Sequence, residues 1–165
     1  MIYSASKGTD LVDDVIFQVV DQMNYNVSSI PLSMQVDVAE LNFSAASRAM
    51  GFSDYQTAHS YLENALVLLP ADHWTINYEL CLRLYFLKAK AVYSCGNIEK
   101  AYESLKSILE RGRCIEDKLD AYYLYVTVRV GWAKAIVNHS YPASYLSHLT
   151  LSIPYTDSPC LSGKR

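Results

Sequence analysis

The sequence predicts an all-α chain, an α-solenoid of antiparallel helix hairpins that ends in an irregular C-terminal tail. Three observations carry that reading. Apolar residues recur at i, i+3, i+4 and i+7 along most of the chain, which is the period of a helix with one buried face. Only 6 Gly and 5 Pro punctuate 165 residues, so the elements between them are long. One helix–turn–helix stretch also lies over the next at a constant offset of 43 residues. Ala46 falls on Ala89, Ala49 on Val92, Ala58 on Ala101, Leu62 on Leu105 and Ala65 on Ile108. A period of that length made of helix pairs marks a stacked array. Small residues at its contact points let neighbouring helices approach closely.

Residues 1–32 read as an N-terminal helix and loop. "DLVDDVIFQVVDQMN" sets Val12, Val15, Ile16, Val19 and Met23 on one stripe, with Thr9 or Asp10 as its cap. Pro31 marks the loop that follows. The repeats occupy residues 33–132. A helix from near Ser33 to Met50 carries Val38, Leu41, Ala45, Ala46 and Ala49, and Gly51 is expected just past its end at positive φ. Ser53 and Gln56 then form a capping box for a helix whose contact residues are Ala58, Leu62 and Ala65, and Pro70 stops it. Asp72 is expected to cap one long helix reaching Ser94, with Leu80, Leu84, Leu87 and Ala91 inward and Glu79 paired with Arg83. Gly96 ends it. Asn97 opens the next helix, with Ala101, Leu105, Ile108 and Leu109 on one face, and Gly112 closes it.

These signals give hairpins at 33–70 and 72–112 and a truncated third from 116. "YLYVTVRVGW" is rich enough in β-branched residues to suit a strand, but the hairpin register favours a helix up to about Val130. Residues 133–165, with Pro142, Pro154 and Pro159, lose the repeat pattern and read as irregular or disordered. Leu119, Tyr122, Tyr123, Val126 and Val130 form a stripe with no alanine-spaced helix after it. The array is therefore expected to be cut short in its third repeat and to self-associate through that uncapped end.

Charge and motifs bound the function. A net charge of −3 offers no basic footprint, so no nucleic-acid partner is expected. No apolar run is long enough for a membrane span, and "MIYSASKGTD" lacks an apolar signal core, which predicts a cytoplasmic chain without membrane contact. Cys81, Cys95, Cys114 and Cys160 form no C-x-x-C pair and read as reduced thiols. Asn26, Asn42 and Asn138 match glycosylation sequons, which mean nothing without secretion. No phosphate-cradling G-x-x-x-x-G-K-[ST], no H-R-D or D-F-G and no G-x-S-x-G occurs. No catalytic, metal or cofactor residue is assigned, and no enzyme activity is expected. His59, His73, His139 and His148 read as surface or cap residues.

Two patterns admit a binding role beside a structural one. Tyr55, Tyr61, Tyr85, Tyr93 and Tyr102 sit at packing spacings, where rings fill gaps and hydroxyls reach the rim; an aromatic ligand groove is the other reading. Arg48, Arg83, Lys88 and Lys90 lie on the first helices of the hairpins. They suit an acidic peptide or a terminal carboxylate, against a plain solvated face with ion pairs.

"Ala58-x3-Leu62-x2-Ala65-x4-Pro70" resembles the second half of a tetratricopeptide (TPR) repeat, and "Gly96-x4-Ala101-x3-Leu105" resembles the turn and second helix of another. The period is longer than the usual unit, and Arg113 stands where the second proline would be. Most of residues 11–130 is similar to the TPR-like region of very large signalling proteins. Those proteins join a serine/threonine kinase-like domain, a STAND-type AAA ATPase, GAF domains and often a histidine kinase. The resemblance implies a regulatory, non-catalytic segment that contacts proteins or neighbouring domains of a larger polypeptide. A free-standing TPR-like peptide-binding adaptor is the alternative, and a small helical enzyme or ligand-binding protein is the alternative of another class.

Overall fold

The computed structural model describes residues 6–138, with side chains described over residues 15–131. Every regular element there is helical. In order they are α1 (Ser6–Asn24), a 3-10 turn (Val27–Ser29), α2 (Leu32–Gly51), α3 (Tyr55–Leu68), α4 (His73–Ile76), α5 (Tyr78–Ser94), α6 (Ile98–Arg111) and α7 (Ile115–Asn138). The β-branched run after Ala121 is thus helix. α2 packs on α3 and α5 on α6, each pair across a short turn; α3 packs on α5, α6 on α7, and α1 on α2.

The contact positions read from the sequence form the core. Ala46, Ala58, Leu62, Ala65, Ala89, Ala101 and Leu105 have no exposed surface. With no side chain beyond Cβ, the alanines let helix backbones meet, while Leu62, Leu84, Leu105 and Ile108 fill the space between.

The 43-residue period extends to individual hydrogen bonds. α3 (Tyr55–Leu68) and α6 (Ile98–Arg111) start and end in the same register. In the first turn the Phe52, Ser53 and Asp54 N–H groups donate to the Arg48, Met50 and Ala49 carbonyls; in the second, Cys95, Gly96 and Asn97 donate to Ala91, Tyr93 and Val92. Ser53 has φ 61° and Gly96 φ 81°. The side chain of Asp54 then accepts from Thr57 N–H at 3.1 Å, and that of Asn97 from Lys100 N–H at 3.2 Å. Each turn thus ends one helix with a left-handed residue and caps the next with a side-chain oxygen.

Several expectations change. Gly51 remains inside α2, and the left-handed residue is Ser53, two positions on. Ser53 is therefore not a cap; Asp54 caps α3, and Gln56 reaches Cys95 Sγ instead. Asp72 makes no side-chain cap, and the expected long helix is broken into α4 and α5 at Asn77 (φ −118°, ψ 46°). The break lets ring packing take over from helix continuity: Trp74 lies against Tyr85 and Tyr78, and His73 stacks on Tyr85. Thr9 and Asp10 lie within α1 rather than at its cap. The α1 stripe is also rotated: Val15 and Val19 are exposed, while Val20 is buried. Phe17 stacks on Tyr61, whose hydroxyl donates to Asp21 at 2.8 Å, and this turns the helix. α7 continues to Asn138, six residues past the boundary expected at 132. Residues 139–165, with Pro142, Pro154, Pro159 and Cys160, lie outside the described residues.

Gly112 ends α6 without positive φ. A Cβ there would stand 2.8 Å from Lys118 Cγ and 2.9 Å from the Ile108 carbonyl oxygen, so the close approach of α7 requires glycine. Asn42 is fully buried and exchanges amide hydrogen bonds with Asn24 at 2.8 and 3.1 Å, which closes that sequon to a glycan.

Candidate functional site

The joint between α5, α6 and α7 is built around Tyr78. Its ring is buried, its hydroxyl donates to Asp117 Oδ2 at 2.5 Å, and the same oxygen accepts the Arg113 N–H at 2.6 Å. The Arg113 guanidinium lies 3.9 Å over the Tyr78 ring. Burial, then the bond to Asp117, holds the Tyr78 proton on well above the usual tyrosine range. Burial works against the charge on Asp117, but donors from Tyr78, Cys114 and the Arg113 backbone outweigh it and lower its pKa. The joint therefore fixes a carboxylate in its ionised form at the start of α7, where the helix dipole also favours it.

Beside this joint opens a groove of about 250 Å³. Leu82, Phe86, Ile108 and Ala121 line its apolar part, and Glu79, Glu116, Asp117, Asp120 and Arg83 its charged part. Arg83 is drawn toward α2: its guanidinium sits 5.0 Å over the Phe43 ring and 3.7 Å from Glu40 Oε1, not against Glu79 as expected. Further along α5, Lys90 Nζ lies 5.7 Å over the Phe86 ring.

The four cations expected to form one face do not share it. Arg83 and Lys90 are exposed and seven residues apart on α5, so they point the same way. Lys88 turns to α3 and pairs with Glu63 at 2.8 Å, with little of its side chain exposed. Arg48 is half-buried and already engaged. Lys88 is thus committed to the α3 contact, and the acids of the α5–α7 groove form no motif in the sequence. Only the helix register shows that Glu79 of α5 and Asp120 of α7 line one groove.

Tyr61, Tyr78 and Tyr85 fill gaps between helices and direct their hydroxyls to Asp21, Asp117 and His73. His73 Nδ1 donates to the Pro70 carbonyl at 2.7 Å, and its Nε2 lies 3.4 Å from the Tyr85 hydroxyl. His59 is largely enclosed. Burial lowers its pKa and Lys88 and Lys100 add to that, against the opposing pull of Glu63. Cys81 is buried with its thiol pushed up to about 11, while Cys95 is exposed. Among the described residues no three of His, Cys, Asp and Glu cluster as a metal site, and no helix is long and apolar enough to cross a membrane.

Compared with protein-family models, curated proteins and solved structures, the chain matches none of them.

Proposed function

We propose that this chain is a non-catalytic, TPR-like helical-repeat segment that binds protein, either another polypeptide or neighbouring domains of a larger signalling protein. The pairs α2–α3 and α5–α6 are two units of a solenoid, and α7 is the first helix of a third. Support for the solenoid comes from the two turns, which share three backbone hydrogen bonds and a side-chain cap at an offset of 43 residues. The outward residues of α7, Leu119, Tyr123, Val126 and Val130, are exposed, as they would be where a following helix of the same polypeptide belongs.

The groove beside Tyr78 is the observation that carries a binding role. At about 250 Å³ it is smaller than the roughly 300–1,000 Å³ of small-molecule sites, and it suits one or two side chains of a peptide. Its floor is apolar, its rim is charged, and a locked helix joint holds its shape, which is what a peptide site needs. A peptide-display screen against the purified chain tests the reading. Enriched sequences should lose binding to Phe86→Ala and Leu82→Ala, while a chain that enriches nothing, or nothing sensitive to these changes, has no peptide site here.

A further inference from the structure

We propose that the α5–α7 groove selects a basic, apolar peptide segment, with a Lys or Arg side chain seated among Glu79, Glu116, Asp117 and Asp120 and an apolar neighbour on Leu82 and Phe86. The inference rests on the protein-binding reading above and reverses the polarity that the lysines and arginines of the sequence had suggested.

The argument is one of charge complementarity over an apolar floor. Four carboxylates and one guanidinium line the groove. Arg83, the one cation among them, leans out of balance with the acids: it meets Glu40 and Phe43 on α2. Glu79, Glu116 and Asp120 are exposed and make no ion pair with any described residue. Asp117 is held ionised by the donors around Tyr78, so it cannot relieve the crowding by taking up a proton near neutral pH. Like charges gathered on two neighbouring helices repel one another. A bound ammonium or guanidinium would remove that repulsion and donate hydrogen bonds to several carboxylates at once. An acidic peptide would meet the same field with the wrong sign.

The apolar part decides between a free cation and a peptide. Leu82 and Phe86 are half-buried and lie one helical turn apart, within reach of a residue adjacent to the seated cation. A Lys or Arg stem can lie along them with its head among the acids.

Two degenerate nonapeptide pools test this by fluorescence anisotropy with the full chain. One alternates Arg or Lys with Leu or Phe; the other alternates Glu or Asp with the same apolar residues. The basic pool should bind, and weaken as salt rises past the level where the screening length falls below about 8 Å. The acidic pool should not bind. Glu79→Gln, Glu116→Gln and Asp120→Asn combined should weaken the basic pool about tenfold, leaving helix content by circular dichroism intact because all three are exposed. Binding of the acidic pool, or a triple variant that binds the basic pool as well as the parent, overturns the polarity while leaving the peptide site standing. No binding by either pool, in parent or variant, overturns the site itself.

Discussion

The turn joining α2 to α3 and the turn joining α5 to α6 make the same hydrogen bonds with different residues. Serine occupies the left-handed position in the first (Ser53, φ 61°) and glycine in the second (Gly96, φ 81°). An L-residue held there costs roughly 1–2 kcal/mol that glycine does not. The first turn nonetheless closes, because the cap at Asp54, the carbonyls at the end of α2 and the buried alanines on either side determine its path together. What the two turns share is therefore a backbone path and a packing surface, and the residue identity at the hinge is secondary.

If the two pairs are equivalent, damage at matched positions should match. The largest effect is expected for Ala58→Trp and Ala101→Trp, since both side chains are fully buried at helix contacts. Each should lower stability by about 3 kcal/mol in urea titrations through overpacking. A large loss at one and none at the other would mean that the two pairs pack differently.

Tyr78 has no tyrosine counterpart in the first pair, where Gln35 stands at its position. Tyr78→Phe removes the donor to Asp117 and the acceptor for the Arg113 N–H. About 2 kcal/mol should be lost, because Asp117 and the Arg113 N–H each lose a partner in a partly buried joint. Loss below about 0.5 kcal/mol would show that water replaces the hydroxyl there.

Asp54→Ala and Asn97→Ala each delete one cap, and each should cost about 1 kcal/mol by thermal melting. Unequal losses would sharpen the comparison, since the charge on Asp54 also favours the helix N-terminus.

The smallest effect concerns His59, which takes the place of Tyr102 in the second pair. Its pKa in the folded chain lies below 6.5, mainly through burial. The unfolded chain thus binds the proton more readily, so this contribution is present above about pH 6.5 and is lost as the pH falls below it. Urea midpoints measured from pH 8 to 5 should fall, and His59→Gln should flatten that fall. An unchanged slope in the variant would place the titration elsewhere.

The parts of the fold legible in the sequence are those written in local pattern. The 43-residue offset, the buried alanines, the Asn97 cap and the Gly96 turn could all be read from spacing and turn chemistry. The first turn is not legible because glycine is the usual left-handed residue, and Gly51 stands two positions before Ser53, which takes that conformation. The break at Asn77 is hidden for another reason: nothing local stops a helix there, and the cause is the packing of Trp74 and His73 on Tyr85, with Tyr78 against Trp74. The groove was illegible because its acids come from helices almost forty residues apart, and Lys88 looked available although Glu63 of α3 claims it.

The central claim is that the two turns are one device, and exchanging their hinge residues tests it most directly. The space around Gly96 is open, so a side chain there meets no neighbour and only the backbone preference changes. Measured by urea denaturation, Ser53→Gly should raise stability and Gly96→Ser should lower it, each by about 1 kcal/mol, and the double exchange should return close to the parent value. A loss in both single variants, or no change in either, would contradict the account.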